Sequence, residues 1–154
     1  MKKFYDMVCV GNYTKDTIVT PGGIRTVDGG AVNYAANAAV RLGLKTAVVT
    51  RLARGDNRMI EALQRAGVDC YPEYTPSSTL MTLEYKTSNV DQRTLTVTAT
   101  AGTVTPQQMD GLETKAVVVG SSRTEAEHVE AAWQLLQAGL VKLIDRAGNL
   151  AAGE

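Results

Sequence analysis

The sequence predicts an α/β protein with a doubly wound, mainly parallel sheet and a small second β-sheet. A unit of helix, glycine and apolar strand occurs three times, with the glycines at Gly43, Gly67 and Gly139. Such repeated units favour parallel strands that are covered by helices. The alternating runs Leu80–Tyr85 and Thr94–Ala99 interrupt the repeat. They predict an antiparallel pair, which must join further strands to be stable.

The elements follow from this pattern in chain order. Apolar runs predict parallel strands near residues 5–10, 45–50, 68–71, 116–120 and 140–145. Turn signals and alternation predict small-sheet strands near residues 17–20, 24–27, 80–85 and 94–100. Helices are expected from Gly30 to Gly43, from Asn57 to Ala66 with Asp56 as the cap, from Thr105-Pro106, and from Thr124.

Composition excludes several classes of function. The 154 residues predict one domain, and the 16 basic residues balance the 16 acidic ones. That balance gives no electrostatic reason to expect nucleic acid or an anionic membrane as a partner. No run of about 18 apolar residues predicts a membrane span, and the N-terminus lacks a signal pattern, so a cytoplasmic protein is expected. Cys9 and Cys70 both fall in predicted strands, where we interpret them as small apolar core residues rather than a disulfide.

The stretch from Gly29-Gly30 to Gly43 is the strongest candidate for a small-molecule site. Glycine lacks a Cβ, so the backbone at Gly29 and Gly30 can approach a ligand closely. An alanine-rich run follows, and the first turn of its helix exposes free N–H groups at the positive end of the helix dipole. The alternative is a tight turn into a buried helix, because a bare glycine pair is a weak motif.

The order of these pieces resembles the ribokinase-like (PfkB-type) carbohydrate kinase family. The resemblance covers nearly all of this chain but only the N-terminal half of the family's domain. It implies a Rossmann-like sheet, here incomplete, and a small β-sheet lid over the sugar site, with strands at about 17–27 and 80–100. The residues that carry it are Gly11 to Asp16, Gly29-Gly30 with the alanine-rich helix, Arg41 to Thr50, and the strands Leu80–Tyr85 and Thr94–Ala99.

The resemblance also implies the substrate-binding residues. In the family an aspartate just after the first strand holds sugar hydroxyls, and Asp16 matches it. An ionised carboxylate suits this role because charge-assisted hydrogen bonds are the stronger kind. Gly29 and Gly30 match the family's sugar-contacting glycine pair. A family asparagine in the first helical turn aligns with Tyr34, and Asn33 is its neighbour, so the resemblance adds Asn33 and Tyr34 to the expected substrate-binding residues. Tyr34 either stacks on a sugar or base or fills the core.

Phosphoryl transfer in the family uses a Gly-Ala-Gly-Asp segment and an ATP site in the C-terminal half. Nothing here matches that segment in context, and Ala53-Arg54-Gly55-Asp56 precedes a helix that Asp56 is expected to cap. We therefore assign no catalytic residue, no metal ligand and no ATP site to this chain; ATP and Mg²⁺ are expected for the complete family domain. Three further features give no functional assignment. His128 is expected on a solvated helix face and Trp133 in the core. The segment Ser121-Ser122-Arg123 only follows the end of a predicted strand.

Two functions follow as expectations. The first is the substrate-binding half of an ATP-dependent sugar or nucleoside kinase, which in the complete protein transfers a phosphoryl group to a sugar hydroxyl. The second is a non-catalytic sugar-binding or interaction module built from that half. The resemblance also implies a homodimer through the lid strands, because Met81, Leu83 and Tyr85 need cover that a small sheet does not supply.

Overall fold

The structure is a computed structural model that describes residues 2–87, 89 and 91–120. Its strands are β1 Lys3–Tyr5, β2 Met7–Val10, β3 Thr14–Thr20, β4 Gly23–Gly29, β5 Thr46–Leu52, β6 Asp69–Tyr74, β7 Thr79–Tyr85, β8 Arg93–Ala99, β9 Leu112–Thr114 and β10 Val117–Val119. The helices are α1 Ala31–Arg41 and α2 Arg58–Arg65. The expected strand over 140–145, the helix from Thr124, and Ser121-Ser122-Arg123, His128 and Trp133 lie outside the described residues.

Four strands form the parallel sheet, in the order β10-β2-β5-β6. Each comes from a short apolar run in the sequence, which is typical of strands that are covered on both faces. The predicted strand over 5–10 is in fact two strands that break at Asp6, whose carboxylate accepts hydrogen bonds from the Lys45 backbone N–H and Lys115 Nζ. The first piece, β1, pairs in parallel with β9 in a two-stranded sheet that the sequence did not predict.

Apolar side chains fill both faces of the parallel sheet. On one face, helices α1 and α2 bury Val32, Ala36 and Leu63 against Cys9 and Val48. On the other face, the segment 104–112 covers a second cluster, whose buried members are Tyr5, Val8, Val10, Ala47 and Val49. Because side chains alternate along a strand, one short run supplies both clusters.

Both helices end as the sequence predicts, at a glycine in the left-handed region. Gly43 has φ 79°, its N–H donates to the Val40 carbonyl, and the next N–H, from Leu44, donates to the Ala39 carbonyl. Gly67, with φ 92°, ends α2 with the same pair of bonds. This is the Schellman arrangement, in which a residue without a Cβ relieves the strain of positive φ.

Asp56 does not cap α2, contrary to the prediction. The N-cap residue is Asn57, and no side-chain capping bond is made there. Asp56 ends a 3₁₀ turn over Arg54–Asp56, and its carboxylate accepts hydrogen bonds from Lys15 Nζ at 2.8 Å and Ser78 Oγ at 2.6 Å. A charged partner offers the carboxylate a stronger bond than a backbone N–H would.

The helix expected from Thr105 is only a 3₁₀ turn over Pro106–Met109. Thr105 and Gln108 form a capping box at its start, and Pro106 is the first residue of the turn. The turn then stops at Asp110, and Gly111, with φ 79°, leads into β9. The start signal was therefore correct, but the glycine so soon after it leaves no room for a longer helix.

The remaining four strands form a sheet of their own, in the order β4-β3-β7-β8, which we call the small sheet. The pairs β3–β4 and β7–β8 are antiparallel hairpins, and β3 pairs with β7 in parallel. The predicted pairing of these four strands outside the parallel sheet is thus observed. The role of the small sheet as a lid stays a prediction.

Candidate functional site

The candidate site is built around Gly29 and Gly30, which join β4 of the small sheet to α1. Gly30 has φ 96°, and a Cβ there would lie 2.6 Å from the Asn12 backbone oxygen. A Cβ on Gly29 would overlap the carboxylate of Asp16 and lie 2.6 Å from Thr14 Oγ1. Both positions therefore require glycine, one for its conformation and both for space.

Asp16 lies in β3 beside this glycine pair. Its neighbours across the small sheet are Val27 on β4 and Met81 on β7, and Met81 in turn pairs with Val97 on β8. The Asp16 carboxylate therefore lies in a cross-strand row whose other members are apolar. Its Oδ1 is buried, and within residues 2–87, 89 and 91–120 it has neither a hydrogen-bond partner nor an ion-pair partner. A buried carboxylate oxygen in this state costs free energy until a donor is supplied.

Asn12, which the sequence alone did not suggest as a site residue, lies with its backbone oxygen against Gly30. It follows β2 in the segment that leads into the small sheet. Its Nδ2 donates to the Gly102 carbonyl at 2.6 Å, while its Oδ1 is buried without a partner among the described residues. The one signal in the sequence was its position after the carboxyl end of a buried parallel strand, where ligands of open α/β sheets bind.

Asn33 and Tyr34 lie in the first turn of α1, next to the glycine pair in sequence. Asn33 Oδ1 accepts a hydrogen bond from Asn37 Nδ2 at 3.1 Å, within the helix. The Tyr34 side chain is 62% exposed, so it does not fill the core; Val32, which is fully buried, does. The structure therefore places the Asp16 carboxylate against Gly29 and leaves the Tyr34 side chain largely exposed.

Two polar networks hold the small sheet on the parallel sheet near the site. In the first, the Asp56 carboxylate forms an ion pair with Lys15 of β3 and accepts a hydrogen bond from the Ser78 hydroxyl. The Ser78 Oγ in turn accepts a hydrogen bond from the Ala53 backbone N–H at 2.9 Å. Burial of the Asp56 carboxyl would raise its pKa, but the hydrogen bonds from Lys15 and Ser78 outweigh burial and lower the pKa below its ordinary value.

The second network joins β4 to α2. Asp28 accepts a hydrogen bond from the Tyr13 hydroxyl at 2.6 Å and forms an ion pair with Arg58 at 3.0 Å. Burial raises the pKa of Tyr13, and its bond to Asp28 raises it further, so Tyr13 remains a neutral donor at physiological pH. Both networks consist of groups that are already partnered, unlike those at Asp16 and Asn12.

In the described part of the chain, no group of three or more His, Cys, Asp or Glu side chains could hold a metal ion. No described helix is long and apolar enough to cross a membrane.

Comparison with known proteins gives a match at the level of structure only. No protein-family profile matches this chain, and no curated protein matches it. Among solved structures, a sulfate complex of a pyrophosphate-dependent kinase in the ribokinase family matches with a TM-score of 0.66 at 27% identity, over 74% of this chain and 40% of that one. This chain has a ribokinase-like fold.

Two more structures support the ribokinase-like assignment. A pyrophosphate-dependent kinase of the ribokinase family, in complex with a pyrophosphate analog and myo-inositol, matches with a TM-score of 0.66 at 25% identity, over 74% of this chain and 39% of that one. A probable sugar kinase from Rhizobium etli matches with a TM-score of 0.66 over 90% of this chain and 54% of its own, and at 13% identity it shows the fold alone. The chain thus spans about two fifths to half of these ribokinase-like structures.

Proposed function

We propose that this chain is the substrate-binding part of a kinase that transfers a phosphoryl group to a hydroxyl of a sugar or another polyol. The observation that carries the proposal is the Asp16 carboxylate, which lies against Gly29 and whose Oδ1 is buried without a donor among the residues that the structure describes. A ligand hydroxyl would supply that donor. The ribokinase-like fold, and a structural neighbour that is a ribokinase-family kinase in complex with myo-inositol, support the same class of ligand.

Each part of the site has a separate task in this proposal. The Asp16 carboxylate accepts ligand hydroxyls through charge-assisted hydrogen bonds. The two glycines let the Asp16 carboxylate and the Asn12 backbone pack closely against them, where a Cβ would collide, and so hold the carboxylate in position for the ligand. Tyr34, exposed in the first turn of α1, offers an aromatic face for a sugar ring or a base.

The phosphoryl donor is proposed to bind the part of the complete protein that this chain does not span. The family resemblance suggests ATP with Mg²⁺, whereas two structural neighbours are pyrophosphate-dependent kinases. Phosphoryl transfer depends on positioning and charge stabilisation around the transferred group. Acceptor residues such as Asp16 supply only the positioning of the hydroxyl.

Isothermal titration calorimetry tests the proposal with myo-inositol, D-ribose, D-fructose and adenosine as ligands. At least one should bind, and Asp16→Asn should weaken that ligand by about 1.5–3 kcal/mol, the range for hydrogen bonds to charged groups. Asp110→Asn is the matched control, because Asp110 is an exposed carboxylate beyond the 3₁₀ turn. Equal affinity in the parent chain and in Asp16→Asn would refute the assigned role.

We also propose that two copies of the chain associate through the small sheet. The face that carries Asp16 also carries Leu95 and Val97, which are 46% and 37% exposed. Met81 on that face is already buried within the chain, so the uncovered area lies toward β8. We propose a second copy of the chain as the partner that covers this area, because two chains with a formal net charge of zero have no overall electrostatic repulsion between them.

A further inference from the structure

The dipeptide Asp-Gly occurs twice in this chain, at Asp28-Gly29 and at Asp110-Gly111. An aspartate side chain reacts most readily with the backbone when glycine follows it, because glycine has no Cβ to shield its amide nitrogen. That nitrogen can attack the carboxyl carbon of the aspartate when the two atoms are able to meet. The fold therefore decides which of the two dipeptides can react.

Asp28-Gly29 is held in an unreactive arrangement. Both residues belong to β4, and the Asp28 carboxylate is bound by the Tyr13 hydroxyl at 2.6 Å and by Arg58 at 3.0 Å. Gly29 is buried, and the Asp16 carboxylate packs against it. The Asp28 carboxyl group therefore cannot turn toward the Gly29 nitrogen without breaking these contacts.

Asp110-Gly111 has none of these restraints. Both residues are exposed between the 3₁₀ turn and β9, and a Cβ placed on Gly111 would meet no atom within 4 Å. Among the described residues, no hydrogen bond or ion pair engages the Asp110 carboxylate, the Asp110 carbonyl or the Gly111 N–H. Asp110 has ψ 131°, so its peptide plane must rotate before the nitrogen reaches the carboxyl carbon, and none of the described contacts opposes that rotation.

We propose that Asp110-Gly111 is a site of spontaneous isoaspartate formation. This inference is independent of the proposed function. The Gly111 nitrogen bonds to Cγ of Asp110, the Cγ–OH bond breaks, and the hydroxyl leaves as water with the proton of the N–H, so that a succinimide ring closes. Water then opens the ring. Attack at the side-chain carbonyl restores aspartate, whereas attack at the main-chain carbonyl gives isoaspartate, in which the main chain runs through the side chain.

Isoaspartate lengthens the main chain by one methylene directly before β9. The Gly111 carbonyl accepts the Lys3 N–H at 3.0 Å and so begins the pairing of β9 with β1. Met109 and Leu112, on either side of the dipeptide, pack against the second core cluster. Because a close-packed interior does not absorb an added atom between two such anchors, the isoaspartyl chain should unfold at a lower temperature than the parent.

The test incubates the full chain at physiological pH and temperature, either folded in buffer or unfolded in urea. Protein-L-isoaspartyl methyltransferase with S-adenosylmethionine then methylates isoaspartate, and peptide mapping by mass spectrometry locates the label. The folded chain should be labelled at Asp110 and not at Asp28. The unfolded chain should be labelled at both, because only the fold distinguishes the two dipeptides.

Two variants of Asp110 test the chemistry separately from the fold. Asp110→Glu keeps the charge but would have to close a larger ring, so the label should be lost and the unfolding temperature should stay constant on incubation. Asp110→Asn forms the same succinimide by loss of ammonia. It should be labelled sooner than the parent, because a neutral amide accepts a nucleophile more readily than an ionised carboxylate does.

Several results would overturn the inference. A folded chain without label at Asp110 after incubation would show that the dipeptide is not reactive. Equal labelling of Asp28 and Asp110 in the folded chain would show that the contacts of Asp28 do not protect it. The same preference for Asp110 in urea would assign the selectivity to the neighbouring sequence instead of the fold. An unchanged unfolding temperature at full labelling would refute the expected effect on β9.

Discussion

The Asp16 carboxylate lies in a cross-strand row with Val27, Met81 and Val97, where an unpaired acceptor raises the free energy of the folded chain. A position that served only the fold would favour an apolar residue there. A binding site can retain an unsatisfied buried acceptor because the bound ligand supplies the missing hydrogen-bond donor. Stability and binding should therefore respond in opposite directions to a change at this residue.

The substitution Asp16→Val tests this opposition. Valine continues the apolar row and removes the unsatisfied oxygen, whose burial costs about 1–3 kcal/mol. The free energy of unfolding in urea should rise by about 1 kcal/mol while polyol binding is lost. A lower free energy of unfolding would show that the carboxylate stabilises the ligand-free fold and that its Oδ1 has a partner in solution.

Asp56 should behave in the opposite way, as a stabilising carboxylate. Its folded-state pKa lies below the ordinary value because Lys15 and Ser78 hold the charged form against the effect of burial. Its contribution is therefore present above the unfolded pKa of about 3.9 and is lost as the pH falls through the lower folded pKa.

Asp56→Asn should remove most of this acid dependence and reduce the free energy of unfolding at pH 7 by about 1–3 kcal/mol. Urea unfolding of the parent and the variant between pH 7 and pH 3 measures both effects. Asp110→Asn is again the matched exposed control. If the difference between Asp56→Asn and the parent does not shrink on acidification, the Lys15–Asp56 pair is not what stabilises this junction.

At the scale of elements, apolar runs bounded by glycine located the parallel strands, because a buried strand needs both its faces covered. The short pair β1–β9 was missed. Its strands have three residues each, and in β1 one of the three is Lys3, so neither run carries a periodic signal. Asp56 was misassigned because its partner Lys15 lies 41 residues away, beyond the reach of any local capping rule.

The candidate site was likewise only partly predictable from the sequence. Asp16, Gly29 and Gly30 could be proposed because the order of motifs along the chain resembles that of the ribokinase-like family. Asn12 could not, because its unpartnered oxygen is evident only once Gly102, 90 residues later, occupies the other end of the amide. A polar group becomes a candidate through what the fold leaves unsatisfied, and that depends on contacts distant in sequence.

The small sheet offers the prediction that belongs to this scale. Leu95→Lys should break the proposed association of two copies by placing a charge on the partly exposed apolar face of β8. Thr96→Lys is the matched control, since its side chain lies on the opposite face of the same strand. Light scattering at high concentration should give a dimer mass for the parent and for Thr96→Lys, and a monomer mass for Leu95→Lys. A monomer mass for the parent would contradict the association.

For the whole molecule, the chain by itself should bind a polyol without phosphorylating it. Ground-state binding of the acceptor gives affinity, whereas rate requires contacts to the transferred group in the transition state. Incubation with Mg²⁺, ATP or pyrophosphate, and each polyol should therefore release no ADP or phosphate above the background. Sustained release that requires one polyol and disappears in Asp16→Asn would reveal a donor site within this chain.

The most direct measurement of the central claim is a crystal structure of the chain with the polyol that binds best in calorimetry. We expect electron density for the ligand against Gly29 and Gly30, with one hydroxyl within about 3 Å of Asp16 Oδ1, the usual length of such a bond. A ligand bound elsewhere, with only water at Asp16, would contradict the assignment of this site.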